Sequence, residues 1–229
     1  MKFFMNTIPQ NVFEFLTELK KNNHRDWMDA NRKTYQDNEK VLKSFYASIV
    51  ERLNEKDEIE KTKVFRINRD IRFSKDKTPY NVHRSVSFSR AGAHRRGGYY
   101  LRLEPGNSLV AGGFFSPEAA DLLRLRKEFE MDDQEIREIL ESPDFKKAFN
   151  GFNTEYQVKT APKGFSKDHP AIDLIKNKSF FVQHSFTDKE VFASDFLDKV
   201  ISHFELLRPF FDYMSDVLTT DLNGVSLIE

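Results

Sequence analysis

Arg66, Arg69, Arg72, Lys75 and Lys77 fall within twelve residues of one another, interleaved with Phe65, Phe73 and Tyr80. Five cations this close concentrate positive potential, and arginine forks match pairs of phosphate or carboxylate oxygens. The chemistry they suit is recognition of an anion. Asp70, Asp76 and Tyr80 stand among them as hydrogen-bonding or proton-transfer groups. The cluster belongs to a wider block, residues 61–102, with twelve Lys or Arg against two Asp, or +10. The chain sums to zero, so the other 187 residues carry −10. A small echo extends the candidate site. Phe73-Ser74-Lys75-Asp76 recurs as Phe165-Ser166-Lys167-Asp168, followed by His169. With a buried Phe anchor, each copy makes a polar turn, and the two could line one cleft. Asp168 and His169 then join the list, His169 as an acid or base near neutrality.

Three readings of the cluster are open. It binds a phosphate-bearing or other anionic ligand; it is the cleft of an enzyme acting on an anionic substrate; or it neutralises acidic segments of the same chain. Residues 188–229 carry nine acidic and three basic side chains, so internal partners exist. On an extended strand, Arg66 and Arg72 would stand ~20 Å apart, so one phosphate reaches both only if the chain bends. The turn at Ser74–Thr78 supplies that bend.

Elements must hold these residues in place. Val64–Phe73 alternates, with Phe65, Ile67, Ile71 and Phe73 on one side and Arg66, Asn68, Asp70 and Arg72 on the other, which predicts a strand. Arg69 violates the alternation, so either the strand stops near Asn68 or Arg69 is buried and paired. Ser85–Ser89 puts Val86 and Phe88 inward. Tyr99–Leu103 and Ser108–Phe115 flank Pro105-Gly106-Asn107, a hairpin signature. Ser108–Phe115 is apolar on both faces and belongs inside a sheet; Gly112-Gly113 within it permits close backbone packing. Short strands are predicted near Tyr156–Val158 and Ser179–Ser185. Before the sheet, Val12, Phe13, Phe15, Leu16 and Leu19 recur at helical spacing. Asn23 is placed to cap a long helix from His24 to about Glu55. After it, Ser116-Pro117, Asp132, Ser142-Pro143, Ser194 and Pro209 mark helix starts. Runs of helix, strand and helix define an α+β fold. Its sheet is mainly antiparallel, spans about residues 64–115 with a strand near 179–185, and is packed by N-terminal and C-terminal helices. No Gly, Ser or Pro linker interrupts the chain, so residues 1–229 are expected to form one domain with a helical N-terminal lobe over about 1–60.

Composition excludes several classes. With no cysteine, disulfides, thiol catalysis and Cys-ligated metals are out. The six histidines form no H-x-H or H-E-x-x-H pattern, so no metal is expected, and without a Walker A loop, a G-x-G-x-x-G or a G-x-S-x-G elbow no cofactor is expected either. The start, MKFFMNTIPQ, makes a poor signal peptide, and no window reaches the ~18 apolar residues of a membrane span. A soluble cytoplasmic protein is expected, with no membrane partner and with its 23 Phe filling the core. A pI near 7.0 argues against non-specific nucleic-acid binding, leaving a small anionic molecule as the favoured partner.

NNHRDWMDANRKTY, FRINRDIRFSKDKTPYN, GGYYLRLEPG, KGFSKDHPAIDLIKNKSF and RPFFDYMSDVLTTDLNG occur in that order over nearly the whole chain. Together they resemble the family called domain of unknown function 2461, which is widespread in bacteria with some fungal members. The resemblance implies one α+β domain and no assigned activity. The family's R-D-x-R-F-x-x-D-K-x-P-Y core falls on Arg69, Asp70, Arg72, Phe73, Asp76, Lys77, Pro79 and Tyr80.

Overall fold

A computed structural model describes residues 6–228; residues 1–5, where part of the signal-peptide pattern was sought, and Glu229 lie outside the described residues. The chain is α+β. Three helices come first, α1 (Gln10–Lys21), α2 (Arg25–Ala30) and α3 (Arg32–Leu53). Four strands follow, β1 (Ile59–Val64), β2 (Arg84–Arg90), β3 (Gly98–Leu103) and β4 (Ser108–Phe114). Then come α4 (Ala119–Met131), α5 (Gln134–Glu141), α6 (Pro143–Phe149), a 3-10 turn at Thr154–Tyr156, and α7 (Ile172–Ile175). The last elements are β5 (Phe180–Phe186), α8 (Asp188–Val191), α9 (Phe196–Leu206) and α10 (Arg208–Thr219). The five strands make one antiparallel sheet in the order β1-β2-β3-β4-β5.

By packing, the chain divides into two compact units. The first gathers the chain through Phe88 with Tyr100–Val110 and Ser185–Ser202; the second gathers Ser89–Tyr99, Ala111–His184 and the chain from His203 onward. In the first, α1 buries Val12, Phe13, Phe15, Leu16 and Leu19, the stripe its spacing predicts. From α3, Leu42, Phe45, Ile49 and Leu53 are buried, and the Phe45 ring stacks on Phe196 at 5.6 Å. In the second, Tyr99 lies between Phe204 and Phe211, and Phe210 meets Phe114, Phe145 and Phe152. Edge-to-face contacts dominate there, the geometry that ring quadrupoles favour.

The long helix predicted from His24 is two helices. Asn31 interrupts it, and its side-chain amide donates back to the Trp27 carbonyl. The cap of α2 is His24, whose Nδ1 accepts from the Trp27 amide; Asn23 is engaged elsewhere. The helix expected at Ser116-Pro117 starts at Ala119, and Ser116 instead sits at φ 48°. Residues 156–158 make only an isolated bridge, Gln157 to Asn177. The hairpin between β3 and β4 forms as predicted: the Asn107 amide closes the turn onto the Glu104 carbonyl at 2.9 Å, with Gly106 at φ 73°. β4 lies between β3 and β5, as its two apolar faces require. Gly113 shows why no side chain fits there. A Cβ would stand 2.6 Å from the Cα of Phe181 on β5.

The largest departure concerns Val64–Phe73. The strand is Ile59–Val64, and residues 65–83 leave the sheet as an excursion before β2. Alternation in that stretch reports a fold-back, in which Asn68 bridges Tyr80, rather than a ladder.

Candidate functional site: a braced basic excursion

Hydrogen bonds close the excursion into a fixed loop. The Arg69 amide donates to the Pro79 carbonyl at 2.9 Å, and the Asn81 amide to the Ile67 carbonyl at 2.7 Å. Asn23 clamps its far end, donating from Nδ2 to the Tyr80 carbonyl at 2.8 Å and accepting the Tyr80 amide at 3.1 Å. That pair of hydrogen bonds explains why Asn23 does not cap α2. Ile67 and Tyr80 are buried beneath.

Arg69 is the brace of the loop. Its Nη1 donates to Asp76 Oδ2 at 2.5 Å, to the Thr78 carbonyl at 3.1 Å and to the Thr78 hydroxyl. Its side chain is only 24% exposed. Asp76 also accepts the Thr78 amide at 2.9 Å, and these bonds hold its carboxyl below the usual carboxylate range, the Thr78 amide contributing most. Lys77, although exposed, folds back along the loop and donates to the Ile71 carbonyl at 2.9 Å. Arg72 pairs with Asp70 through Nε at 3.0 Å and Nη2 at 2.6 Å, which lowers the Asp70 carboxyl and raises the guanidinium.

The predicted residues therefore sort into two groups. Arg69, Asp76, Lys77 and Tyr80 build the loop. Arg66, Arg72 and Lys75 are exposed on it. Phe73, expected on the apolar side and as a buried anchor, is 96% exposed, with the Arg72 guanidinium 6.0 Å from its ring centre. Its counterpart Phe165 is half-buried with Lys127 Nζ 4.8 Å above the ring, so the echo is one of sequence and not of environment. Asp168 and His169 belong to the second unit. There the Asp168 amide donates to Ser166 Oγ and the Ala171 amide to His169 Nδ1, which makes a local turn.

Pairing with the acidic C-terminal helices occurs at Arg90, whose Nη2 meets Asp212 of α10 at 2.8 Å. Other ion pairs of the block join residues nearer in sequence, as Arg96 with Asp121 of α4, or reach back to α3. Arg84, at the start of β2, is the deepest. Its Nε and Nη2 clasp Glu39 at 2.6 and 2.9 Å, and Nη1 donates to the Phe65 carbonyl at 2.9 Å. Burial alone would lower the Arg84 pKa, and the Glu39 carboxylate more than reverses that. Beside the pair, burial holds the Tyr46 phenol protonated, and its hydroxyl has no hydrogen-bond partner among the described residues. Sequence reading missed Glu39, Tyr46 and Arg84. The one signal available was an arginine at the edge of an otherwise apolar and serine strand. Among the described residues, no group of three or more His, Cys, Asp or Glu could hold a metal ion, and no helix is long and apolar enough to cross a membrane.

Fold and site together define an α+β protein with a braced, cation-bearing loop between its first two strands. The family model described as conserved hypothetical protein (DUF2461) matches residues 11–213, and the chain belongs to that family. Comparison with curated proteins and with solved structures gives no match.

Proposed function

We propose that this protein binds a phosphate-bearing ligand with a flat apolar part, through Arg66, Arg72, Lys75 and Phe73. One observation carries the reading: Phe73 is 96% exposed at the tip of a loop that Arg69 keeps rigid. Exposing a phenyl ring to water costs about 1.5–3 kcal/mol of lost burial, so a fixed position for it needs a use. A ring flanked by cations can stack a base while the cations hold its phosphates. Preorganisation by Arg69 keeps the entropy lost on binding small. The absence of cysteine supports a reducing cytoplasmic setting, where such ligands are abundant.

The test is a titration with fluorescent adenosine triphosphate, competed by inorganic triphosphate. Affinity is expected to fall with added salt. Arg66→Ala and Lys75→Ala weaken both ligands. Phe73→Ala weakens the nucleotide by about 5- to 160-fold, the range for one stacked base, and leaves the inorganic anion unaffected. No binding at low salt, or equal binding by all variants, overturns the reading and leaves the cations a structural role.

A further inference from the structure

A second surface lies on the first unit, formed by α3 and the strand that leads into the excursion. A groove of about 940 Å³ runs between α3 and β1, with Tyr46, Ala47, Val50 and Val64 as its apolar lining and Lys43, Glu51, Asn54 and Glu55 also lining it from the helix and its end. β1 ends the strand order, so one of its edges has no strand beside it among the described residues. The Phe65 amide donates to the Ser85 carbonyl, which sets the register with β2. In an antiparallel ladder, alternate residues point their N–H and C=O to opposite sides. Glu60, Thr62 and Val64 therefore direct theirs away from β2. A strand edge beside a helix-walled groove with an apolar strip is the arrangement in which an extended peptide adds to a sheet.

We infer that this edge receives an extended peptide in which acidic residues alternate with apolar ones, laid down as a sixth strand. The alternation follows from the two faces of β1. Thr62 and Val64 face the groove, so the added strand sends apolar side chains toward Tyr46, Ala47 and Val50. Lys61 and Lys63 occupy the other face and are exposed. Residues placed across from them are favoured when opposite in charge and disfavoured when alike. The same lysines argue against a second copy of this chain. In the registers of fullest overlap, two β1 strands would set Lys61 or Lys63 against a lysine of the other copy. Edge lysines are a known guard against self-pairing. An acidic strand satisfies them.

The experiment titrates a fluorescein-labelled hexapeptide alternating glutamate and valine with the full chain, beside its lysine–valine counterpart. The acidic peptide is expected to bind about tenfold more tightly than the basic one, two cross-strand charge pairs being reversed. Amide hydrogen exchange slows at Glu60, Thr62 and Val64. Lys61→Glu combined with Lys63→Glu inverts the preference. Thr62→Pro removes one outward N–H, which an edge strand tolerates, and lowers affinity with an unchanged melting curve. Binding of neither peptide at about 1 mM, equal binding of both, or binding that leaves the β1 amides unprotected overturns the inference.

Discussion

Glu39→Ala is the sharpest single perturbation of the fold that carries the loop. Arg84 and Glu39 are 5% and 15% exposed, and the pair ties α3 to β2. Removing the carboxylate leaves a buried guanidinium whose described side-chain hydrogen bond is the one to the Phe65 carbonyl. An uncompensated buried charge costs about 3–5 kcal/mol. At ~2–4 °C per kcal/mol for a chain of this size, the melting temperature falls by roughly 6–20 °C. Arg84→Met costs a similar amount, because Glu39 is then the orphan. The double variant Glu39→Ala with Arg84→Met should lose only about 1–3 kcal/mol, chiefly the unpaired Phe65 carbonyl. That sum is far below additivity, and the difference measures the coupling. Urea unfolding read by tryptophan fluorescence is well placed to report it, since Trp27 is the single tryptophan and lies in the unit that holds the pair. Far-UV circular dichroism over the same range checks whether both units melt together. A loss under about 1 kcal/mol for Glu39→Ala, or a double variant equal to the sum of the singles, refutes the reasoning.

Two further outcomes follow from the geometry. Gly113→Ala places a Cβ 2.6 Å from a neighbouring backbone atom at φ 141°, so overpacking and strain together cost about 2–5 kcal/mol, whereas Gly106→Ala, at φ 73° with nothing nearby, costs about 1 kcal/mol; thermal melts of the two variants should differ accordingly. His83 has its pKa lowered below 6.5 by burial, with Glu104 opposing and Arg102 and Arg84 assisting. The unfolded chain then holds more protons between the lowered value and 6.5, so stability is intact above 6.5 and declines as pH falls through that window. His83→Gln should remove this part of the pH slope in urea unfolding at pH 7.5 and 5, and an unchanged slope would count against the burial account.

Local information determined much of this protein. The stripe of α1, the inward Val86 and Phe88, the turn at Pro105–Asn107 and the close approach at Gly112-Gly113 are each set by neighbours in the chain, through periodicity, turn chemistry and the lack of a Cβ. β1 was illegible because a strand wet on both faces has no hydrophobic period: IEKTKV leaves four of its six residues exposed. The excursion was misread for the converse reason. Its apolar residues alternate, yet Ile67 goes inward and Phe73 outward, and only the Arg69 and Asn23 hydrogen bonds decide which. Arg84 and Glu39 are 45 residues apart, and no local rule pairs them. Which cations are held and which are offered to solvent is a property of contacts between distant segments, because a charge finds its partner only after the backbone has closed around it.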